Sequence, residues 1–477
     1  MLNRQIADDR DIGPAIGTWP GGFHGADRGY ARRQILIAHC GLVRTLLSGN
    51  GKGTDMQTGI RIKLAFWLMM TAVTVPALAQ SDVRGQGVAD RPRPDFDPYG
   101  YPVGAFTLYP SVTTAVLATN NYLATDTNKR GDLYAVVSPE VQLSSNWVRN
   151  RLTARAYFNQ SLHANLSNQN IAQYGVSLGG ALDVSHATQI TADTSAGHYV
   201  ENRADLGSFQ GTSEPVTYSA YRARLGISQN FNRLTLNGSV ALSELNYNNI
   251  PVPGGPPINQ HFRDVRAFTG VLSAQYEVAS GIGLILTGQY DNNFYSFRPG
   301  QLGFDPLINI DRASSGFNLE GGITFELSSL VFGSIQFGLL SRNYRDARLR
   351  DFQGPSYSAN ILWNVTPLTS LRLTAQRSVE DASSTVVAGN TRSDLKLFID
   401  HELYRYIILS GDLGYGSFTP NGPGVGGQEF TVGAGARYLI DRRWSVGANL
   451  RHSQRSSESS FLRYQATTAS VSVKFAF

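Results

Sequence analysis

Apolar and polar residues alternate one by one along most of this chain. Phe106, Leu108, Val112 and Val116 fall on one side, with Thr107, Tyr109, Ser111 and Thr113 on the other. Further on, Tyr221, Ala223, Leu225 and Ile227 oppose Arg222, Arg224 and Ser228. The same period sets Leu371, Leu373 and Ala375 against Arg372, Thr374 and Gln376. It also sets Trp444, Val446, Ala448 and Leu450 against Ser445, Asn449 and Arg451. A period of two residues is that of a β-strand with one apolar face. The last segment runs to the final residue. Ala469, Val471, Val473, Phe475 and Phe477 share its apolar face, opposite Thr468, Ser470, Ser472, Lys474 and Ala476. No helical domain and no repeat of fixed interval interrupts the alternation.

The spacing between segments also alternates. Connections near 185–187, 230–232, 279–280, 405–406 and 441–442 are short, whereas 201–216, 248–264, 297–313 and 381–393 are long. Alternating strands with short turns at one end and long loops at the other predict an all-β fold. Specifically, they predict a transmembrane antiparallel up-and-down β-barrel, with lipid against the apolar face and a polar lumen inside. Both chain ends then lie on the periplasmic side, so the strand number is even. The segments predict about 18 strands, with 16 as the alternative.

Composition agrees with a barrel. Charged residues make up 16% of the chain, against about 25% in ordinary soluble domains. Mean hydropathy is only -0.19, because a barrel hides its apolar half in alternation. A spanning helix needs about 20 consecutive apolar residues, and only 64–79 approaches that. This stretch reads instead as the core of a secretory signal at 56–79. Met56 is its start, Arg61 and Lys63 are its basic region, and Ala77-Leu78-Ala79 is its cleavage site, with Ala77 and Ala79 as the small residues before Gln80. Residues 1–55 then read as a mis-called N-terminal extension. The sole cysteine, Cys40, lies there. A cysteine-free mature chain suits an oxidising envelope compartment.

Residues 80–104 carry Pro92, Pro94, Pro98 and Pro102, which oppose helix and sheet ladder alike. They read as a periplasmic leader tucked into the mouth of a barrel formed by 105–477. The expected location is the outer membrane of a Gram-negative bacterium, in contact with membrane lipid and lipopolysaccharide. Phe475 and Phe477 are the expected signal to the barrel-assembly machinery. A formal net charge of +5 is small for 477 residues, and no basic cluster interleaved with aromatics points to nucleic acid.

The chain shows no catalytic signature. It has no H-E-x-x-H, no G-x-S-x-G and no cysteine metal spacing, so no catalytic residue, metal or cofactor is expected. His198, His401 and His452 fall on the outward face and read as interfacial anchors. The Gly-rich run 421–427 lacks the Lys-Ser/Thr ending of a phosphate loop and reads as a flexible outer loop. Glu380 and Asp381 lack the spacing of a calcium loop.

The lumen face is more informative. Arg155, Arg222, Arg224, Arg372, Arg437, Arg451 and Arg455, with Asp394, Asp400 and Glu402, are the expected pore-lining residues. In an open pore the arginines would favour anionic solutes. Alternatively, these charges pair across neighbouring strands and fill the wall, a reading favoured by the similar numbers of both signs. Arg437, Arg451 and Arg455 could also oppose Asp394, Asp400 and Glu402 in a transverse field. A barrel of about 18 strands leaves an aqueous channel, unless the leader or an outer loop plugs it.

One stretch resembles a known family. The chain reads Pro94-Asp95-Phe96-Asp97-Pro98-Tyr99-Gly100, then Gly104-Ala105-Phe106-Thr107-Leu108-Tyr109-Pro110-Ser111, with Asn120-Asn121-Tyr122 following. This resembles the outer-membrane β-barrel porin family of the porin 2 type over residues 94–477. The resemblance implies a barrel filling the chain and a role as a porin-like channel. It further implies a link to exopolysaccharide production and export, with polysaccharide-export components as partners. It carries no catalytic residues.

Overall fold

The computed structural model describes residues 85–477, apart from 207, 209–211, 213, 253, 329, 382–388 and 423. The extension 1–55 and the signal 56–79, including Ala77 and Ala79, lie outside the described residues.

A short strand β1 (Tyr101–Val103) precedes the main strands. These are β2 (Phe106–Thr119), β3 (Asp132–Ser145), β4 (Arg151–His163), β5 (Ala172–Asp183), β6 (Thr188–Val200) and β7 (Thr217–Phe231). Next come β8 (Leu234–Tyr247), β9 (Val265–Ala279), β10 (Ile282–Tyr295), β11 (Ser314–Leu327), β12 (Val331–Tyr344) and β13 (Phe352–Thr366). The last six are β14 (Thr369–Asp381), β15 (Gly389–Tyr404), β16 (Ile407–Pro420), β17 (Gly427–Leu439), β18 (Trp444–Ser457) and β19 (Tyr464–Ala476). From β2 to β19 each strand pairs antiparallel with the next. β19 then pairs with β2, from Thr468↔Thr119 to Ala476↔Ser111. The sheet is therefore a closed barrel of 18 strands, and the fallback of 16 is replaced by the larger number. Closure leaves no sheet edge, which is what lets a strand structure sit in lipid with every backbone group paired.

The two faces separate as the alternation requires. Leu225, Leu272, Phe337 and Val471 are 54%, 72%, 67% and 56% exposed on the outer surface. Their chain neighbours point inward. Aromatic rings gather outside near the short-turn end. Trp444 lies 4.6 Å from Phe475, Phe475 lies 4.5 Å from Phe477, and Tyr404 stacks on Tyr406 at 5.5 Å. Such a girdle belongs at a membrane–water interface.

The short turns can be very tight. Only residues 232–233 join β7 to β8, and only 405–406 join β15 to β16. Loops at the other end run over 201–216, 248–264 and 296–313. Where the leader meets the barrel, Gly100 has φ +69° and its N–H donates to the Phe477 carbonyl at 3.2 Å. A side chain there would strike the Leu108 carbonyl and the Thr107 side chain, which accounts for the glycine in the Pro98-Tyr99-Gly100 turn.

The face assignment has a measurable consequence in β7. Leu225→Arg places a charge against the hydrocarbon and is expected to destabilise the barrel by about 2–4 kcal/mol in vesicle unfolding titrations. Arg224→Leu, one residue away on the inner face, is expected to cost far less. Equal costs would contradict the assignment.

Candidate solute path

Strand register decides which inward charges meet. Arg155 on β4 pairs with Glu140 on β3 at 2.9 Å. Arg224 on β7 lies opposite Asp193 on β6, and Arg222 lies opposite Ser195. Arg451 on β18 reaches Asp412 on β16 at 3.2 Å, passing over Gly433 of the intervening β17. A Cβ on Gly433 would strike the Asp412 carboxylate, so the glycine makes room for the ion pair. A parallel row runs Asp394, Gly416, Glu429, Arg455 and Tyr464 across β15 to β19. Within it Arg455 binds Glu429 at 2.6 Å, while Arg392 binds Asp394 at 2.9 Å and Glu429 at 2.5 Å.

This register corrects one expectation. The clusters Arg437/Arg451/Arg455 and Asp394/Asp400/Glu402 do not face each other across the bore. Both lie on the arc β15–β18, and Glu402, Ile408 and Arg437 share one row. Oppositely charged neighbours on one wall attract and pair locally, so no transverse field forms between these two clusters.

The inner mouth holds the leader. Val88 is fully buried, and its N–H donates to Ser370 Oγ at 2.8 Å. Asp90 pairs with Arg372 at 2.6 Å, and Arg93 pairs with Glu402 at 3.2 Å. Arg91 donates to Asn364 Oδ1 at 3.2 Å and to the Pro367 carbonyl. Burial lowers the Arg91 pKa from its ordinary value, with the Glu402 charge opposing. Farther out, Arg442 Nε donates to the Pro94 carbonyl at 3.0 Å. Arg372 and Glu402, expected to line the pore, are thus held by the leader.

The outer end is narrowed by residues 201–205, the start of the loop after β6, which turn inward. Arg455 on the facing wall donates to the Ala204 carbonyl. Arg203 donates to Gln169 Oε1 at 3.0 Å and to Thr212 Oγ1 at 2.7 Å. Burial lowers the Arg203 pKa, against the opposing effects of Tyr122 and Glu201. Glu201 forms a buried ion pair with Arg263 of loop 248–264 at 2.5 Å, and that guanidinium lies 4.0 Å over the Tyr247 ring. Beneath these loops lies an apolar cluster of Val216, Tyr218, Ala220, Leu245, Tyr247, Ile250, Val265, Ala267 and Tyr295. Full burial of a side chain such as Leu245 stabilises by about 1.5–3 kcal/mol. The alternation did not disclose this cluster, because its strand residues occupy lumen positions. The available signal was a local break in polarity, with Tyr218 and Ala220, Leu245 and Tyr247, and Val265 and Ala267 all apolar at the long-loop end.

Other sequence candidates fall as follows. His401 Nδ1 meets Thr369 Oγ1 at 2.9 Å and His452 Nδ1 meets Thr467 Oγ1 at 2.8 Å, both on outward positions. His198 stacks on outward Tyr174 at 5.5 Å. His163 and Asp132 form a buried pair at 2.7 Å under the ring of Tyr134. Among the described residues no cluster suited to holding a metal occurs.

Glu201→Ala would leave Arg263 buried without its partner, an arrangement that costs about 3–5 kcal/mol. Loop 201–216 is therefore expected to become protease-sensitive while the barrel stays intact, read by limited proteolysis and mass spectrometry. Unchanged resistance would contradict the anchoring role.

Comparison with known proteins adds the family. No curated protein matches the chain. Solved structures similar to it include OccK2 (OpdF) of Pseudomonas aeruginosa, with 13% identity and TM-score 0.43 over 78% of this chain and 98% of that one. The siderophore receptor PiuA of Acinetobacter baumannii shows 12% identity and TM-score 0.43, over 79% and 82%. A BenF-like porin from Pseudomonas fluorescens Pf-5 shows 11% identity and TM-score 0.43, over 79% and 100%. The family model described as "Putative beta-barrel porin 2" matches residues 93–477, a span that begins in the leader and takes in every barrel strand. The chain belongs to this β-barrel porin family.

Proposed function

We propose that the protein is a non-enzymatic, weakly selective outer-membrane channel, narrowed at both mouths. The observation that carries this reading is the closed 18-strand barrel with an apolar outer face and a charged inner one. A barrel of this size is too wide for wall side chains alone to fill. Inward positions carry both signs. Arg151, Arg155, Arg222, Arg224, Arg437, Arg451 and Lys474 are matched by Glu140, Asp193, Glu320, Asp394, Asp400, Asp412 and Glu429. Several of them are paired across strands, which supports weak rather than strong charge selectivity. The family's association with exopolysaccharide loci supports a role beside polysaccharide synthesis or export, with export components as partners. Insertion would use the barrel-assembly machinery, with Phe475 and Phe477 in the recognised strand.

A second reading is a closed structural or surface-binding barrel. The leader and residues 201–205, inserted at opposite ends, favour it. Planar-bilayer recording of the chain starting at Gln80 separates the two. The channel reading predicts stable unit conductance and, in a salt gradient, a small reversal potential. Deleting residues 85–97 is expected to raise unit conductance, because it removes the segment held by Ser370, Arg372 and Glu402. A heat-modifiable barrel silent in both forms would replace the channel by the closed reading.

A further inference from the structure

Loops 248–264 and 296–313 enclose a pocket of about 200 Å³ at the outer end, lined by Asn259, Phe262, Phe297, Asn309, Ile310 and Arg312. Two phenyl rings and an isoleucine make it mainly apolar. Arg312 is the exception. It is only 7% exposed, and its Nε is buried without a hydrogen-bond partner. Its guanidinium rests on the Tyr295 ring at 4.9 Å. Among the described residues no carboxylate forms an ion pair with it. Its chain neighbour Asp311 is engaged elsewhere, accepting from the Ala313 N–H at 3.1 Å and lying 3.7 Å from Arg345.

A buried cation without a counter-ion is unfavourable, and a carboxylate would relieve it through a charge-assisted, two-pronged hydrogen bond. The amides point the same way. Asn259 Oδ1 already accepts from the His261 N–H at 2.9 Å, and Asn309 Oδ1 accepts from the Asp305 N–H at 2.8 Å. Each side chain keeps its N–H₂ donor, suited to an oxygen-rich anion. An apolar wall with a few convergent donors is the usual make-up of a small-molecule site. We infer that this pocket is an outer-surface binding site for a small aromatic carboxylate, its ring between Phe262 and Phe297 and its carboxylate on Arg312.

The inference concerns equilibrium binding at the loops and stands apart from conduction. It is tested by isothermal titration of the folded protein in detergent with benzoate, benzyl alcohol and glucuronate. Benzoate is expected to bind, with benzyl alcohol and glucuronate each at least about tenfold weaker. Arg312→Gln should weaken benzoate at least about tenfold. Phe297→Ala, a change in a loop, should weaken it with barrel heat-modifiability unchanged, which covers the case of an Arg312 variant that does not fold. Absence of benzoate binding overturns the site. Benzyl alcohol binding as tightly as benzoate removes the role of Arg312, and glucuronate binding as tightly removes that of the aromatic walls.

Discussion

The pairing of β19 with β2 is the constraint on which everything else rests. Without it the strands would form an open sheet, presenting the unpaired backbone of Ser111–Thr119 and Thr468–Ala476 to hydrocarbon. Each such unpaired group costs several kcal/mol in lipid. Closure removes both edges together. It also sorts side chains, since a closed sheet has one inside and one outside, and a one-residue slip would exchange them. The residues at the seam fit this demand, with Val471 and Val116 directly opposite each other on the outer face and Ser472 and Ala115 on the inner one.

Closing so many strands creates a second problem, an interior too wide for wall side chains to fill. Chain segments enter it from both ends. At the short-turn end the proline-rich leader supplies Val88 to the interior and exchanges Asp90 and Arg93 with wall charges of opposite sign. At the long-loop end an apolar cluster and the buried Glu201–Arg263 pair hold residues 201–205 inward. These two anchors differ in kind. The leader is held mainly by polar contacts around one buried valine, whereas the outer loops rest on a true hydrophobic core. The leader is therefore the easier of the two to displace.

The wall was legible in the sequence because alternation is a one-dimensional signal. Leu225 beside Arg224, or Val473 beside Lys474, states which side faces lipid without reference to any other strand. The leader was legible through Pro92, Pro94 and Pro98, but Pro102 did not keep its end out of the sheet. Tyr101–Val103 folds back as a short strand on the start of β2, with Pro102 opposite Thr107. What the sequence could not disclose depends on register, a relation between strands. Asp412 meets Arg451 because Gly433 lies between them, and Arg437 shares a row with Glu402. Loop 201–216 was visible only as a long connection. The inward turn of residues 201–205 depends on Arg263 and Arg455, which lie far along the chain.

The most direct test of this account is the water and lipid accessibility of consecutive positions in β7. The chain starting at Gln80 contains no cysteine, so single cysteines at 221–228 can be labelled in vesicles without interference. The account predicts strict alternation. Even positions should react with a water-soluble thiol reagent, and odd positions, labelled with a fluorophore, should be quenched by lipid-borne quenchers. Uniform reactivity along the segment, or quenching at the even positions, would contradict a closed barrel with lipid outside and a polar lumen within.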